Sequence, residues 1–140
     1  QSLPAILTHS FGGFASVYTL HRLPHLSVTK MVVMAAPGEV ELFFNYYQQV
    51  LGLSQKAVRA ITNQFIKVIG HPPSYFQMSE FGKSLNLSGL IIHDTEDKEA
   101  PYKNAVAMKE VWKNSKLITT TGLGHNLKSK ELVEEVAKFV

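Results

Sequence analysis

A chain of 140 residues with 45% hydrophobic content and a mean hydropathy of +0.00 has the size and make-up of one globular domain with a proper core. Fourteen basic residues against eleven acidic ones leave a net charge of +3, and the lysines are scattered rather than striped with aromatics, so no nucleic-acid surface is expected. The absence of cysteine excludes disulfides and thiolate metal sites, and no apolar run nears the roughly 20 residues of a membrane span.

The pattern predicts a strand at about 4–8, from the apolar run Pro4-Ala5-Ile6-Leu7. Thr8-His9-Ser10-Phe11-Gly12-Gly13 follows, and a helix is predicted at about 12–23, ending before Pro24. A strand that stops at a serine and re-enters at once as a helix makes a sharp turn with the hydroxyl at its tip. Small neighbours are needed there: Gly12 is expected to relieve a clash and Gly13 to let the helix approach the strand. A second strand is expected at Thr29–Ala35, closed by Pro37-Gly38.

Residues 39–88 break the strand–helix alternation. Val40, Phe43, Phe44, Tyr47, Val50 and Leu51 fall at helical spacing, and Ser54 is placed to cap a second helix with Ala57, Val58, Ile61, Phe65, Val68 and Ile69 on one face. Gly70-His71-Pro72-Pro73 ends that helix, and a short helix or irregular segment is expected from Tyr75 to Phe81. Alternation then resumes with a strand at about 89–94, a helix at Tyr102–Lys113 and a strand at about 116–121. A last helix is predicted from about Lys128 to Val140, with Leu132, Val133, Val136, Ala137 and Val140 inward.

Polar residues gather just past the C-terminal ends of these strands. Asp94, Glu96 and Asp97 follow Leu90-Ile91-Ile92-His93, and Gly122-Leu123-Gly124-His125 follows the 116–121 run. In open α/β sheets that edge is where sites assemble. The candidates run in the order serine, aspartate, histidine. His9 is expected to pack or hydrogen-bond behind the serine, and His21, His25, His71 and His93 to play plain structural roles.

On these motifs almost the whole chain resembles the C-terminal half of an α/β-hydrolase of the esterase or lipase type. Thr8–Gly13 resembles the nucleophile elbow G-x-S-x-G with threonine at its first glycine position, and the order Ser…Asp…His is that family's. Leu90 to Asp97 with Ala100-Pro101 resembles its acid loop, and Gly122–His125 its histidine loop. Counting along the acid motif puts the acid at Asp97, with Asp94, at the usual glycine position, as the rival. The resemblance implies a partial α/β-hydrolase fold: a mainly parallel sheet of about four strands flanked by helices. Residues 1–38 and 89–140 would form the hydrolase core and 39–88 a helical cap insertion.

The implied activity is serine hydrolysis of a carboxylic ester or related acyl substrate, through an acyl-enzyme on Ser10. His125 would be the base, Asp97 would orient it, and the backbone N–H of Phe11 would be an oxyanion donor. No metal or other cofactor is expected. The second oxyanion donor has no counterpart in these residues, so the chain is expected to be a fragment with an incomplete oxyanion hole, weakly active or inactive by itself, the activity belonging to the intact parent. The alternative is a non-catalytic module of the same fold that binds a ligand or partner. The aromatic insertion suggests an apolar substrate pocket, although such residues at helical spacing are more often core. A cytoplasmic location and a homodimer through the exposed edge of the Pro4–Thr8 strand complete the expectations.

Overall fold

The computed structural model describes residues 3–140. Four strands, β1 (Leu3–His9), β2 (Val28–Met34), β3 (Ser88–Asp94) and β4 (Ser115–Thr120), form one parallel sheet in the order β1-β2-β3-β4. The register aligns Thr8 with Val33, Val33 with Ile91 and Ile91 with Leu117. Parallel neighbours need crossovers that cover the sheet's faces, and the buried run from Gly89 to Asp94 has the near-continuous burial of a strand covered on both.

Helices α1 (Phe11–Arg22) and α5 (Lys103–Val111) pack on the face that carries Val33 and Ile91. The other face, with Val32, Leu90 and Ile92, receives α6 (Lys130–Phe139) through Leu132, Val136 and Phe139. The final helix differs from its predicted inward set: Val133 is 69% exposed, Ala137 and Val140 are exposed as well, and Phe139 packs against the core instead. The helix begins at Lys130, capped by Ser129, and that phase turns Val133 to solvent.

The chain divides into two compact units, 1–38 with 78–140, and 39–77. Residues 78–88, grouped with the insertion on sequence, cluster with the first unit because α4 (Met78–Gly82) packs on α1 and α5 with Met78 and Phe81 buried. In the second unit, α2 (Val40–Val50) and α3 (Gln55–Ile69) precede a 3-10 turn at Pro73–Tyr75. Ser54 caps α3 by accepting from the Ala57 N–H at 3.2 Å, and Gly70 ends it at φ 86°. Phe65 meets Phe44 and Phe76 edge-on at 5.4 and 5.8 Å. Of the residues placed on one face of α3, Ile61, Val68 and Ile69 are exposed.

The two glycines after the serine have different reasons. A Cβ on Gly13 would lie 2.8 Å from the Ala36 Cβ and 3.0 Å from Val33 Cγ1, so this glycine lets α1 lie against the sheet. A Cβ on Gly12 meets nothing within 4 Å, which corrects the expectation that Gly12 relieves a clash. Gly13→Ala is therefore expected to destabilise the chain by about 1–3 kcal/mol in urea unfolding, through overpacking. Gly12→Ala should be neutral or stabilising by up to about 1 kcal/mol, since alanine is the better helix former.

Candidate active site

The chain leaves β1 at His9 and enters α1 at Phe11, so Ser10 alone makes the turn. It does so at φ 54° and ψ −132°, a conformation that side-chain-bearing residues rarely adopt. Backbone bonds fix it on both sides: the Ser10 N–H donates to the Met34 carbonyl at 2.9 Å, and its own carbonyl accepts from Gly13 at 3.0 Å. Thr8, at the motif's glycine position, is buried, and its hydroxyl donates to the Val32 carbonyl at 2.7 Å. The threonine is thus accommodated, one side chain bridging β1 to β2. Ser10 Oγ makes no capping bond to α1 and turns to the histidine loop. Phe11 is the first residue of α1, directly after Ser10.

Two aspartates follow β3 and do different things. Asp94 has no exposed surface; its Oδ1 accepts from the Glu96 N–H at 2.9 Å, and its Oδ2 from the Thr120 hydroxyl at 2.7 Å and the Leu123 N–H at 2.9 Å. Asp97 accepts at Oδ1 from the Glu99 and Ala100 N–H groups, each at 2.9 Å, which leaves Oδ2 for His125 Nδ1 at 2.8 Å. The carboxylate that receives the histidine is Asp97, and the rival Asp94 ties the β3 loop to the β4 loop.

A carboxylate only accepts, so the proton of neutral His125 sits on Nδ1. Nε2 then offers its lone pair to the Ser10 hydroxyl, which donates at 2.9 Å. The ring is 11% exposed and the Asp97 side chain fully buried. Ser10, His125 and Asp97 form one continuous hydrogen-bonded chain assembled from the ends of β1, β4 and β3. Phe11 stands beside it at the helix N-terminus.

Three further residues touch this chain. His9 Nε2 donates to the His125 carbonyl at 2.8 Å. Buried His93 donates from Nε2 to the Ala100 carbonyl at 2.8 Å, with Asp97 Oδ2 3.4 Å away, so it braces the turn that cradles Asp97. Glu99 brings its Oε2 within 3.7 Å of His125 Nε2. Position beside the motif serine hinted at the role of His9. Those of His93 and Glu99 depend on how the loop folds back, and spacing alone does not reveal that.

No protein-family model matches the sequence, and no curated protein matches it significantly. Solved structures do. A serine hydrolase involved in carbazole degradation (CarC) superposes with a TM-score of 0.67 at 18% identity, over 99% of this chain and 64% of its own. An α/β hydrolase, MGS-MChE2, from the metagenome of sediments of the Mar Chica lagoon, Morocco, gives 0.68 at 16% identity, over 98% of this chain and 60% of its own. A bromoperoxidase from Bacillus anthracis gives 0.69 at 16% identity, over 98% and 67%. The fold is that of the α/β hydrolases, in part: the chain spans 60–67% of the length of these three. Among the described residues no helix is long and apolar enough to cross a membrane.

Burial pushes the Asp94 carboxyl up, but the hydrogen bonds from Thr120, Leu123, Glu96 and Gly124 outweigh it and hold the group at about 2, below its ordinary 3.8. A depressed carboxylate stabilises the fold fully above its unfolded value, and the stabilisation fades as pH falls through the folded one. Asp94→Asn should therefore lower the urea midpoint at pH 7. The gap to wild type should narrow below about pH 4 and be nearly closed by about pH 2. A gap constant with pH would show that the charge of Asp94 contributes nothing.

Proposed function

We propose that Ser10, His125 and Asp97 act as nucleophile, general base and orienting acid of a serine hydrolase that cleaves a carboxylic ester or related acyl substrate. The observation that carries this reading is the unbroken Ser10–His125–Asp97 chain, at 2.9 and 2.8 Å. Ser10 Oγ attacks the carbonyl carbon while Nε2 of His125 takes its proton. The ring becomes imidazolium beside the Asp97 carboxylate, whose Oδ1 is already bonded to two backbone N–H groups and whose Oδ2 stays on Nδ1. Nε2–H then protonates the leaving alcohol as the C–O bond breaks, and Ser10 carries the acyl group. Water, deprotonated by the same Nε2, releases the acid and restores the serine.

The backbone N–H of Phe11, aided by the positive end of α1, is assigned to the carbonyl oxygen as negative charge develops on it. We assign the unit 39–77, inserted in the chain between β2 and β3, as a helical cap insertion. A binding module of the same fold would need neither a serine held at φ 54° nor a histidine ordered by a buried carboxylate, so the catalytic reading is preferred.

A fluorophosphonate probe tests this directly. It should label the chain at Ser10, and Ser10→Ala should abolish labelling. His125→Ala and Asp97→Asn should each slow it by about 10²–10⁴, with the double variant little slower than the worse single one. Labelling that persists in Ser10→Ala, or wild-type rates in His125→Ala, would overturn the assignment.

A further inference from the structure

Glu99 lies two residues beyond Asp97, in the loop that carries the acid, and its side chain is 69% exposed. Its backbone N–H is committed to Asp97, but its carboxylate approaches His125 from the other side. Oε2 is 3.7 Å from Nε2, the nitrogen that bonds Ser10, and not from Nδ1, which already has Asp97 at 2.8 Å. Among the described residues the Glu99 carboxylate has no nearer cation or donor. A negative charge therefore stands beside the atom that hands a proton to the departing group.

We infer that Glu99 selects the leaving group, favouring acyl compounds whose alcohol part carries a positively charged ammonium and disfavouring those whose alcohol part is anionic. This rests on the acyl-transfer reading of Ser10. Proton delivery requires the leaving oxygen about 3 Å from Nε2, which sets it no more than about 7 Å from the Glu99 carboxylate. An ammonium two carbons along the alcohol spans much of that gap and can meet the carboxylate. Asp97 does not serve the same purpose: it is buried on the far side of the ring, and its oxygens are filled by Glu99 N–H, Ala100 N–H and His125. Glu99 is exposed, so solvent screens it and the discrimination is modest, about five-fold at contact distance.

Choline and its uncharged isostere 3,3-dimethylbutanol, used as ligands that slow fluorophosphonate labelling of Ser10, read the preference without requiring turnover. Glu99→Gln should weaken protection by choline about five-fold and change protection by 3,3-dimethylbutanol less than about two-fold. Glu99→Lys should weaken choline further, and added salt should erode the wild-type preference. Equal loss for both alcohols, no change in the choline effect, or no protection by either would overturn the role of Glu99 while leaving Ser10 as nucleophile. Failure of the probe to label Ser10 in the wild-type chain would overturn the acyl-transfer reading and this inference with it.

Discussion

The strained turn at Ser10 is the constraint on which the site depends. A non-glycine residue at φ 54° and ψ −132° costs on the order of 1–3 kcal/mol, and the rest of the fold must over-determine it. It does so through two main-chain bonds and one from the Thr8 hydroxyl. Met34 accepts from the Ser10 N–H, Gly13 donates to its carbonyl, and Thr8 just upstream is locked to Val32. All of these run from β1 or α1 to β2 or within the turn, so the serine is aimed by backbone rather than by its own side chain. Gly13 makes this possible, since only a residue without Cβ lets α1 start so close to Ala36 and Val33.

The acid loop meets a second constraint, that of two buried carboxylates three residues apart. Burying charge is tolerable only where hydrogen bonds replace water. Asp94 is satisfied from its own loop, from β4 and from the loop beyond β4, so it ties neighbouring segments together. Asp97 takes two backbone donors on one oxygen, with His93 bracing the same turn, and keeps the other oxygen for a single imidazole. The two residues are chemically identical and both side chains are buried, yet one is saturated by structure and the other has one oxygen aimed into the site.

Much of this was legible before the structure. Apolar runs bounded by glycine, proline or acidic residues marked all four strands to within a residue or two, because buried parallel strands are nearly continuous in hydrophobicity. Ser54 and Gly70 marked the ends of α3 because capping chemistry is local. What sequence left obscure depended on packing direction. Val133 looks like a core residue at helical spacing, but the start of α6 turns it outward. Residues 78–88 carry no signal that they belong with the sheet, because Met78 and Phe81 are defined by what α1 and α5 present to them. At the site, the choice between Asp94 and Asp97 rested on motif counting, and three-dimensional hydrogen bonding separates them. Glu99 carried no signal at all, being an exposed glutamate in a loop whose fold alone brings it to the imidazole.

The sheet order explains why the histidine loop has the shape it has. β1 and β4 are separated by two intervening strands, about 14 Å at ordinary strand spacing, yet Ser10 Oγ and His125 Nε2 are 2.9 Å apart. The chain leaving β4 must therefore turn back across the ends of β3 and β2. It turns at residues with positive φ: Gly122 at 85°, Gly124 at 60° and, beyond the histidine, Leu127 at 51°. The two glycines adopt these angles without steric cost, and Leu127 is held there by burial in the core beneath α6. Asp94 pins the start of the return path through Thr120 and Leu123, and His9 pins its end by donating to the His125 carbonyl. A structural aspartate and the residue before the serine thus bring an imidazole from one edge of the sheet to a hydroxyl at the other. The bonds from His125 to Ser10 and to His9 join residues more than 100 positions apart, so the serine–histidine pair depends on the whole sheet being in place.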